Sequence, residues 1–342
     1  RLLSPGNYSV FPSSPAAVTG GSGTGAFISF NLTGGGQQLV GSNSRTPTYC
    51  GTSYVVGRPY VGNSTSIKPV AWEVRRIPNG LGLPTAQAAL NSGNDANPMN
   101  VAYEVLTDTT FGLGIAAANI DSASFSAAAA TLATENNGMS FSLDAKKEAY
   151  EILNLVQEQV DGVLYYDHSY KIKLIRDDYT AGTIAELNET NSSLVDFDRG
   201  SWEGTTNCVD VKYTSRVKDY QDTSAIAQDS ANIRIQDNVV ISGSRVYPGC
   251  KADGLASVLA WRDLRTLSYP LTRATVRVDQ QFYEVAPGEP LALTSSALGI
   301  RRLPMRVIKI DYGDQTDNQV KLTLVQDVFF FSAGSFAPPG GT

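Results

Sequence analysis

The run AYEILNLVQEQVDGVLYYDHSYKIKLI, residues 149–175, changes its hydrophobic period from helical to extended at a single point. Its first half repeats apolar residues at helical spacing, and we expect a helix that Asp144 opens and Gly162 ends. Its second half predicts a hairpin, with strands at 163–166 and 170–175 around the turn Asp167-His168-Ser169. Because the apolar face of the helix must be buried, we expect the adjoining hairpin to cover it. The residues of that face are Ala149, Ile152, Leu153, Val156 and Val160.

Two more helices are predicted before this run. Asn97-Pro98 supplies an N-cap followed by proline at the first helical position, and Gly112 is expected to end that helix. Asp121 is expected to cap the second helix, which Gly138 follows. The predicted apolar positions are Val101, Val105 and Leu106 in the first helix, and Phe125, Ala128, Ala129 and Leu132 in the second.

The remainder of the chain is β-rich. Glycine-interrupted alternations such as 26–32 predict short strands near the N-terminus, and strands are predicted at 209–213, 238–242, 274–278, 305–310 and 320–325. One helix interrupts them, with Leu255, Val258, Leu259 and Arg262 on one face and Pro270 at its limit. The predicted class is α+β and mainly β. The expected divisions are a β-rich domain at 1–78, an α+β domain at 79–191, a β-barrel-like domain at 192–331 with a helix inserted near 252–267, and a linker at 332–342.

Composition excludes several function classes. The 342 residues carry 27 basic and 33 acidic side chains, a net charge of −6, so the overall basic footprint of a nucleic-acid-binding protein is missing. No apolar run approaches the roughly 20 residues that cross a bilayer. Residues 1–70 contain four basic residues and no Asp or Glu, which excludes a glycosidase pair or a hard-cation site there.

Histidine and cysteine are sparse. His168 is the single histidine, and its predicted place at a hairpin tip provides neither a shielded cleft nor an orienting partner for catalysis. Cys50, Cys208 and Cys250 are far apart and form no C-x-x-C pair, so we expect incidental thiols in a reducing compartment.

The carboxylate clusters predict turns rather than sites. Asp177 and Asp178 are adjacent and point to opposite faces of an extended chain. The cluster from Asp311 through Asp314 to Asp317 lacks the spacing of a calcium loop and fits a hairpin turn, and Asp196 and Asp198 would share a face. The sequence therefore predicts no catalytic, cofactor-binding or metal-binding residue, and no cofactor. The 16 tyrosines suit sugar-binding faces, protein interfaces and ordinary strands alike.

Several segments, taken in order from about residue 46 to 330, resemble the central tail hub proteins of tailed bacteriophages and gene transfer agents. The matching segments are IKPVAWEVRRI at 67–77, NPMNVAYEVLT at 97–107, FGLG at 111–114, IDSASF at 120–125, DGVLY at 161–165, KLIRDDY at 173–179, DSANI at 229–233, YPG at 247–249, AWRDLR at 260–265, PGE at 287–289 and VQDVF at 325–329. The three cysteines are not part of this pattern, so no metal-cluster role is carried over to them.

The resemblance implies a non-enzymatic virion protein that closes the distal end of a tail tube. Such hubs are homotrimers in which each subunit has two tube-like β-barrel domains and a smaller α+β part outside. Implied partners are a distal tail protein, the tape-measure protein and tail fibres or a tip extension, with DNA passing through the channel and assembly in the host cytoplasm. Two alternatives stay open: a carbohydrate-binding or receptor-binding β module, and a cell-wall hydrolase of a tail tip.

A first prediction concerns the thiols. Replacing Cys50, Cys208 and Cys250 together by Ala should leave assembly intact, because their separation offers no ligand set. Particle assembly, measured by infectivity and electron microscopy, checks this. Loss of infectivity together with iron or zinc bound to the parent protein would contradict it.

Overall fold

The computed structural model describes residues 16–18, 26–28, 75–142, 148–179, 182–313 and 319–330. In these residues the chain is mainly β with a few helices, as the sequence predicts. The helices are α1 Pro98–Thr107, α2 Ser122–Thr134, α3 Ala149–Val160, α4 Ser230–Ile235 and α5 Asp253–Leu267. The strands are β1 Ala16–Val18, β2 Ala26–Ile28, β3 Ala89–Leu90, β4 Asp95–Ala96, β5 Gly162–Asp167, β6 Ser169–Leu174, β7 Glu186–Leu187, β8 Ser192–Asp198, β9 Cys208–Ser215, β10 Gln221–Gln228, β11 Ser242–Val246, β12 Arg273–Val278, β13 Pro290–Ser295, β14 Ile300–Asp311 and β15 Val320–Gln326.

The predicted N-caps of α1 and α2 are confirmed. The Asn97 and Asp121 side chains each accept a hydrogen bond of 3.0 Å from the backbone N–H two residues on. The predicted end of α1 at Gly112 is wrong, because the helix stops at Thr107. The Asp108 carboxylate accepts the N–H groups of residues 110 and 111, which turns the chain before the glycine is reached.

The first core joins α1, α2, α3 and the β5–β6 hairpin. The predicted inner faces of α2 and α3 are buried, although Ala149 is only partly so. The expectation that the hairpin covers α3 is only partly met: α3 packs chiefly on α1, and β6 lies against α2. There the Ile172 N–H donates to Ser124 Oγ at 3.3 Å, and the Asp121 N–H donates to the Tyr170 carbonyl at 3.0 Å.

The second core lies inside a curled six-stranded sheet with the order β7-β13-β14-β15-β12-β8. Its two edge strands, β7 and β8, are consecutive in sequence and only residues 188–191 separate them. Because four residues span at most about 14 Å, the sheet must curl until its edges approach each other. The result is a half-barrel whose inner face is apolar. The buried residues of that face include Ala274, Val276, Val278, Met305, Val307, Val320, Leu322 and Leu324.

The third core is a smaller sheet of order β10-β9-β11 that packs on α5. Two side chains of β9 anchor the start of that helix: Tyr213 Oη and Ser215 Oγ both donate to Asp253 Oδ1, at 3.0 and 2.6 Å. The described residues thus contain one curled sheet, and the expected pair of barrels stays a prediction.

Two predictions in this third region are wrong. Of the strand predicted at 238–242, only Ser242 lies in a strand: a turn ends at Asn238, which is in the left-handed region at φ 62°, and residues 239–241 are irregular. The Asn207 side chain bonds both the Val239 carbonyl and the Ile241 N–H at 2.8 Å, so a distant residue fixes this segment. On α5, Val258 is 64% exposed, and alanines with Leu264 complete the buried face instead.

This difference between neighbouring residues of α5 gives a second prediction. Leu259→Ala should lower the free energy of unfolding by about 2–5 kcal/mol, because it removes a side chain that is 1% exposed. Val258→Ala is the matched control and should change it by less than about 0.5 kcal/mol. Urea denaturation of both variants measures the difference, and equal losses would contradict the packing described.

Candidate functional site

Arg306 connects the first core to the curled sheet. Its guanidinium is 5% exposed and donates to Asp327 Oδ2 at 2.7 Å, to the Gly288 carbonyl at 3.0 Å and to the Arg176 carbonyl. The Tyr179 and Phe329 rings lie on it, with centroids 5.3 and 5.5 Å away. A buried charge that is paired and fully hydrogen-bonded fixes one geometry. Burial raises the pKa of Tyr179, and its hydrogen bond with Asp327 adds to the shift.

Arg262 connects the first core to the third. From α5 it donates to the carbonyls of Glu158 and Gln159 at the end of α3, at 3.0 and 2.6 Å, and to Tyr247 Oη at 2.9 Å. Tyr247 Oη in turn donates to Asp263 Oδ2 at 2.6 Å. A cation at a helix C-terminus satisfies orphan carbonyls and the helix dipole together.

A second contact between these two cores involves Arg216 and Asp95. Asp95 is 1% exposed and also accepts a hydrogen bond from Ser140 Oγ at 2.7 Å. Beside it the Gly249 carbonyl accepts the Ser140 N–H at 2.8 Å, and the backbone at Gly249 lies against Met139. The first and third cores therefore meet through backbone as well as side chains.

The outer face of the small sheet carries an open groove of about 620 Å³. Asp210, Lys212 and the exposed Val246 are among the residues that line it. Asp210 Oδ1 is buried with no hydrogen-bond partner among the described residues. A second, smaller pocket of about 270 Å³ lies beside Phe197, Arg199 and Arg301.

Exposed aromatic residues mark a different surface, at the end of β14. The Tyr283 and Tyr312 rings lie 5.1 Å apart and are 61% and 51% exposed. Burial of its hydroxyl raises the pKa of Tyr312, and Tyr283 and Asp167 of the β5–β6 hairpin add to the shift. Tyrosines exposed in this way are typical of binding surfaces for proteins and for sugars.

The structure places His168 at the tip of the hairpin, as predicted. Its side chain is fully exposed, its backbone is left-handed at φ 53°, and Asp167 Oδ1 is 3.8 Å from Nε2. Asp167 pairs more closely with Lys171 Nζ, at 2.6 Å. This geometry offers no shielded base.

The carboxylates singled out in the sequence do not converge. Asp177 and Asp178 are exposed in a turn, Asp196 and Asp198 lie on the outer face of β8, and Asp311 ends β14. Asp314 and Asp317 lie outside the described residues. In the described ranges no three Asp, Glu, Cys or His side chains form a group that could hold a metal ion.

Two of the three cysteines can be placed. Cys208 begins β9 and Cys250 follows the Pro248-Gly249 turn, and both are buried free thiols. Burial raises the pKa of Cys250 to about 11, so this thiol is unreactive near neutral pH. Cys50 lies outside the described residues. None of the five described helices has the length and hydrophobicity of a membrane-crossing segment.

The contacts between the cores are made by isolated arginines, and no motif or periodicity in the sequence predicts them. A buried arginine is identified by its partners, and the partners in the neighbouring core are 103 residues away for Arg262 and 130 for Arg306. The motifs AWRDLR and VQDVF contain Arg262 and Asp327, but their spacing does not disclose these contacts.

Arg306 gives a third prediction. Arg306→Met should lower the free energy of unfolding by about 3–5 kcal/mol, because Asp327 is left buried without its cation. Adding Asp327→Asn should restore part of the loss, since the buried charge is then gone. Arg277→Met, at an exposed position of β12, is the control and should have little effect. Thermal unfolding of the four proteins tests this, and similar losses for Arg306→Met and Arg277→Met would contradict it.

Gly249 gives a fourth prediction. A Cβ atom there would lie 2.6 Å from Gln159 Oε1 and 2.7 Å from Met139 Cγ, so Gly249→Ala should cost about 1–3 kcal/mol. Gly254→Ala is the matched control: it lies in α5 with nothing within 4 Å, and alanine should stabilise that helix by up to about 1 kcal/mol. Denaturant unfolding of both variants measures the change in the free energy of unfolding. No loss for Gly249→Ala would contradict the close approach of Gly249 to Met139 and Gln159.

A fifth prediction concerns Asp161, which ends α3 in the left-handed region at φ 52°. Burial raises its pKa, although Arg262 and Arg176 oppose the shift. A raised folded-state pKa means that the folded chain binds the proton more tightly, so this group's contribution to stability falls as pH rises above about 4. Asp161→Asn should therefore stabilise the protein at pH 7, and should stabilise it less near pH 3. Unfolding free energies measured from pH 3 to 7 test the sign, and an advantage that shrinks with rising pH would overturn it.

Part of the chain matches a known protein family. A family described as "Putative phage tail protein" matches residues 175–311. No curated protein sequence matches the chain significantly. Among solved structures the chain is similar to a component of "Virion of native gene transfer agent (GTA) particle", at 10% identity and TM-score 0.46 over 58% of this chain and 43% of that one.

Two further solved structures are similar to the chain. One is the tail protein from Neisseria meningitidis MC58, at 12% identity and TM-score 0.41 over 56% of this chain and 59% of that one. The other is the 43 kDa tail protein of prophage MuSo2 from Shewanella oneidensis, at 14% identity and TM-score 0.35 over 55% of each chain. The chain thus spans about half the length of these proteins. The resemblance to phage tail proteins predicted from the sequence is confirmed by the family match at residues 175–311.

Proposed function

We propose that this chain is the structural hub of a phage tail tip, a virion component that closes the distal end of the tail tube and has no catalytic activity. The observation that carries the proposal is the family match over residues 175–311. That range runs from the end of the β5–β6 hairpin to the end of β14 and includes the whole three-stranded sheet and most of the curled sheet. The likeness therefore lies in the β part of the chain.

In this proposal three copies form a ring around a channel. The curled sheet is one tube-like domain of each subunit, residues 1–78 contribute to the other, and the α+β part at 79–191 lies outside the ring. Two such domains in each of three subunits would present six similar surfaces to a sixfold tube. The approach of β7 to β8 supports this assignment, since closing a sheet on itself is how a tube domain limits its free edges.

The proposed partners follow from this position. A distal tail protein would bind above the ring, the tape-measure protein inside it, and fibres or a tip extension below, with assembly in the host cytoplasm. The net charge of the chain is compatible with the passage of DNA through the channel of the proposed ring. The whole chain has 27 basic and 33 acidic side chains, a net charge of −6. Acidic surfaces do not retain phosphates, whereas every Lys or Arg contact adds affinity.

One specific observation favours a second function, binding of host carbohydrate or receptor. The exposed Tyr283–Tyr312 pair is the surface on which such a ligand would stack. For a hydrolase, the carboxylates that were singled out in the sequence and are described lie in turns, on an outer strand face and at a strand end rather than in a cleft.

Electron microscopy of the purified chain and of the virion tip tests the hub. We expect a threefold ring with a central channel. Monomer mass in light scattering at micromolar concentration, together with tips that lack threefold symmetry, would overturn the proposal. Binding to glycans that Tyr283→Ala/Tyr312→Ala abolishes, in a protein that forms no ring, would favour the second function.

A further inference from the structure

The two larger sheets end in four edge strands, and two of these are protected against pairing. Among the described residues no strand bonds to the outer side of any of the four. In the curled sheet β7 has only two residues. The other edge strand, β8, has a bulge at Val195. Thr275 and Val276 of β12 pair with Asp196 and Leu194, and Val195 between them has no partner on β12. β8 also carries two charged residues, Asp196 and Asp198. Short length, bulges and charges are the devices that keep an edge from pairing.

The edges of the small sheet have little such protection. β10 pairs with β9 over eight residues and β11 pairs with β9 over five, both without a register shift. Neither strand contains proline, and each carries one charged residue, Asp222 in β10 and Arg245 in β11. Each also exposes an apolar side chain: Ile226 is 62% exposed and Val246 is 60% exposed. A regular edge of this kind is a template for another strand.

Strand direction determines how two copies of this sheet would meet. β10 is antiparallel to β9 and β11 is parallel to it, so β10 and β11 run in opposite directions. If the sheet continued into a neighbouring copy of the same orientation, β11 would run antiparallel to the neighbour's β10. In the register that continues the ladder, Ile226 lies level with Asp210 and Val246 level with Lys212, so Val246 of one copy and Ile226 of the next would be diagonal neighbours on the same outer face. Two apolar side chains that are exposed in the single chain would then cover each other, which favours this orientation.

We propose that β10 of one copy pairs with β11 of a neighbouring copy. The contact joins two different surfaces, so repeating it generates a closed ring or an open helix rather than a twofold dimer. That the ring closes at three copies rests on the proposed function. Pairing would cover both edges of the small sheet and the flanks of Ile226 and Val246.

Cysteine cross-linking in the full chain tests this pairing. Ile226 and Ser244 both lie opposite Asp210 on β9, one on each side, and so share the outer face of the sheet. Ile226→Cys and Ser244→Cys are made singly and together in a Cys50→Ser parent and oxidised with copper phenanthroline. The single variants are also co-expressed. Val195→Cys on β8, co-expressed with Ile226→Cys, is the matched control for an exposed but protected edge.

We expect a disulfide-linked dimer from the co-expressed single variants, none from either alone, and none from the β8 control. The double variant should give linked species that end at the trimer. Dimers of Ile226→Cys alone, or cross-links from a photoreactive residue at 226 to residues 1–74 of the same chain, would overturn the pairing. A trimer by light scattering without these cross-links would overturn the pairing and leave the hub intact. A monomer that gives no cross-link would overturn both.

Discussion

The C-terminal end of α3 is held by two arginine side chains from outside the helix. Arg262 of α5 bonds the carbonyls of residues 158 and 159, and Arg176 bonds that of Val160 at 3.0 Å. These carbonyls have no partners within the helix and form the negative end of its dipole, so cationic donors satisfy them best. The first core meets the third through Arg262. It meets the curled sheet where the Arg176 carbonyl accepts a hydrogen bond from Arg306. The relative placement of the three cores therefore depends on this helix end together with the Arg216–Asp95 pair.

The contacts between the cores use buried positive charges, whereas the chain as a whole carries a net negative charge. The arginines that join the cores are largely buried and bonded to carbonyls or carboxylates of another core. Lysine could not replace them, because a single ammonium cannot bond two or three carbonyls in one plane. Elsewhere the acidic residues of 75–179 outnumber the basic ones, which gives this part of the chain an anionic character. The same chain therefore uses cations for internal cohesion while staying anionic overall.

In the described residues, the two edge strands of the curled sheet are protected against pairing by short length or by a bulge and charge. In the curled sheet, β7 has only two residues, and β8 is bulged and acidic. The small sheet differs, since α5 covers one face and both its edges stay regular. A protein that assembles with others needs surfaces of both kinds, because unprotected edges everywhere would lead to aggregation. The contrast between the two sheets is therefore the feature of the fold that relates most directly to assembly.

Local chemistry determined what the sequence could predict. The caps at Asn97 and Asp121, the buried faces of α2 and α3, the hairpin with His168 at its tip and strands such as β15 all depend on residues within one or two turns of each other. Tertiary structure decided the rest. Residues 238–241 have the composition of a strand, but Asn207 holds them in an irregular segment, and the length of α1 was set by Asp108. The arginine joints and the order of the strands bring together residues 100 or more positions apart, and periodicity carries no information on such pairs.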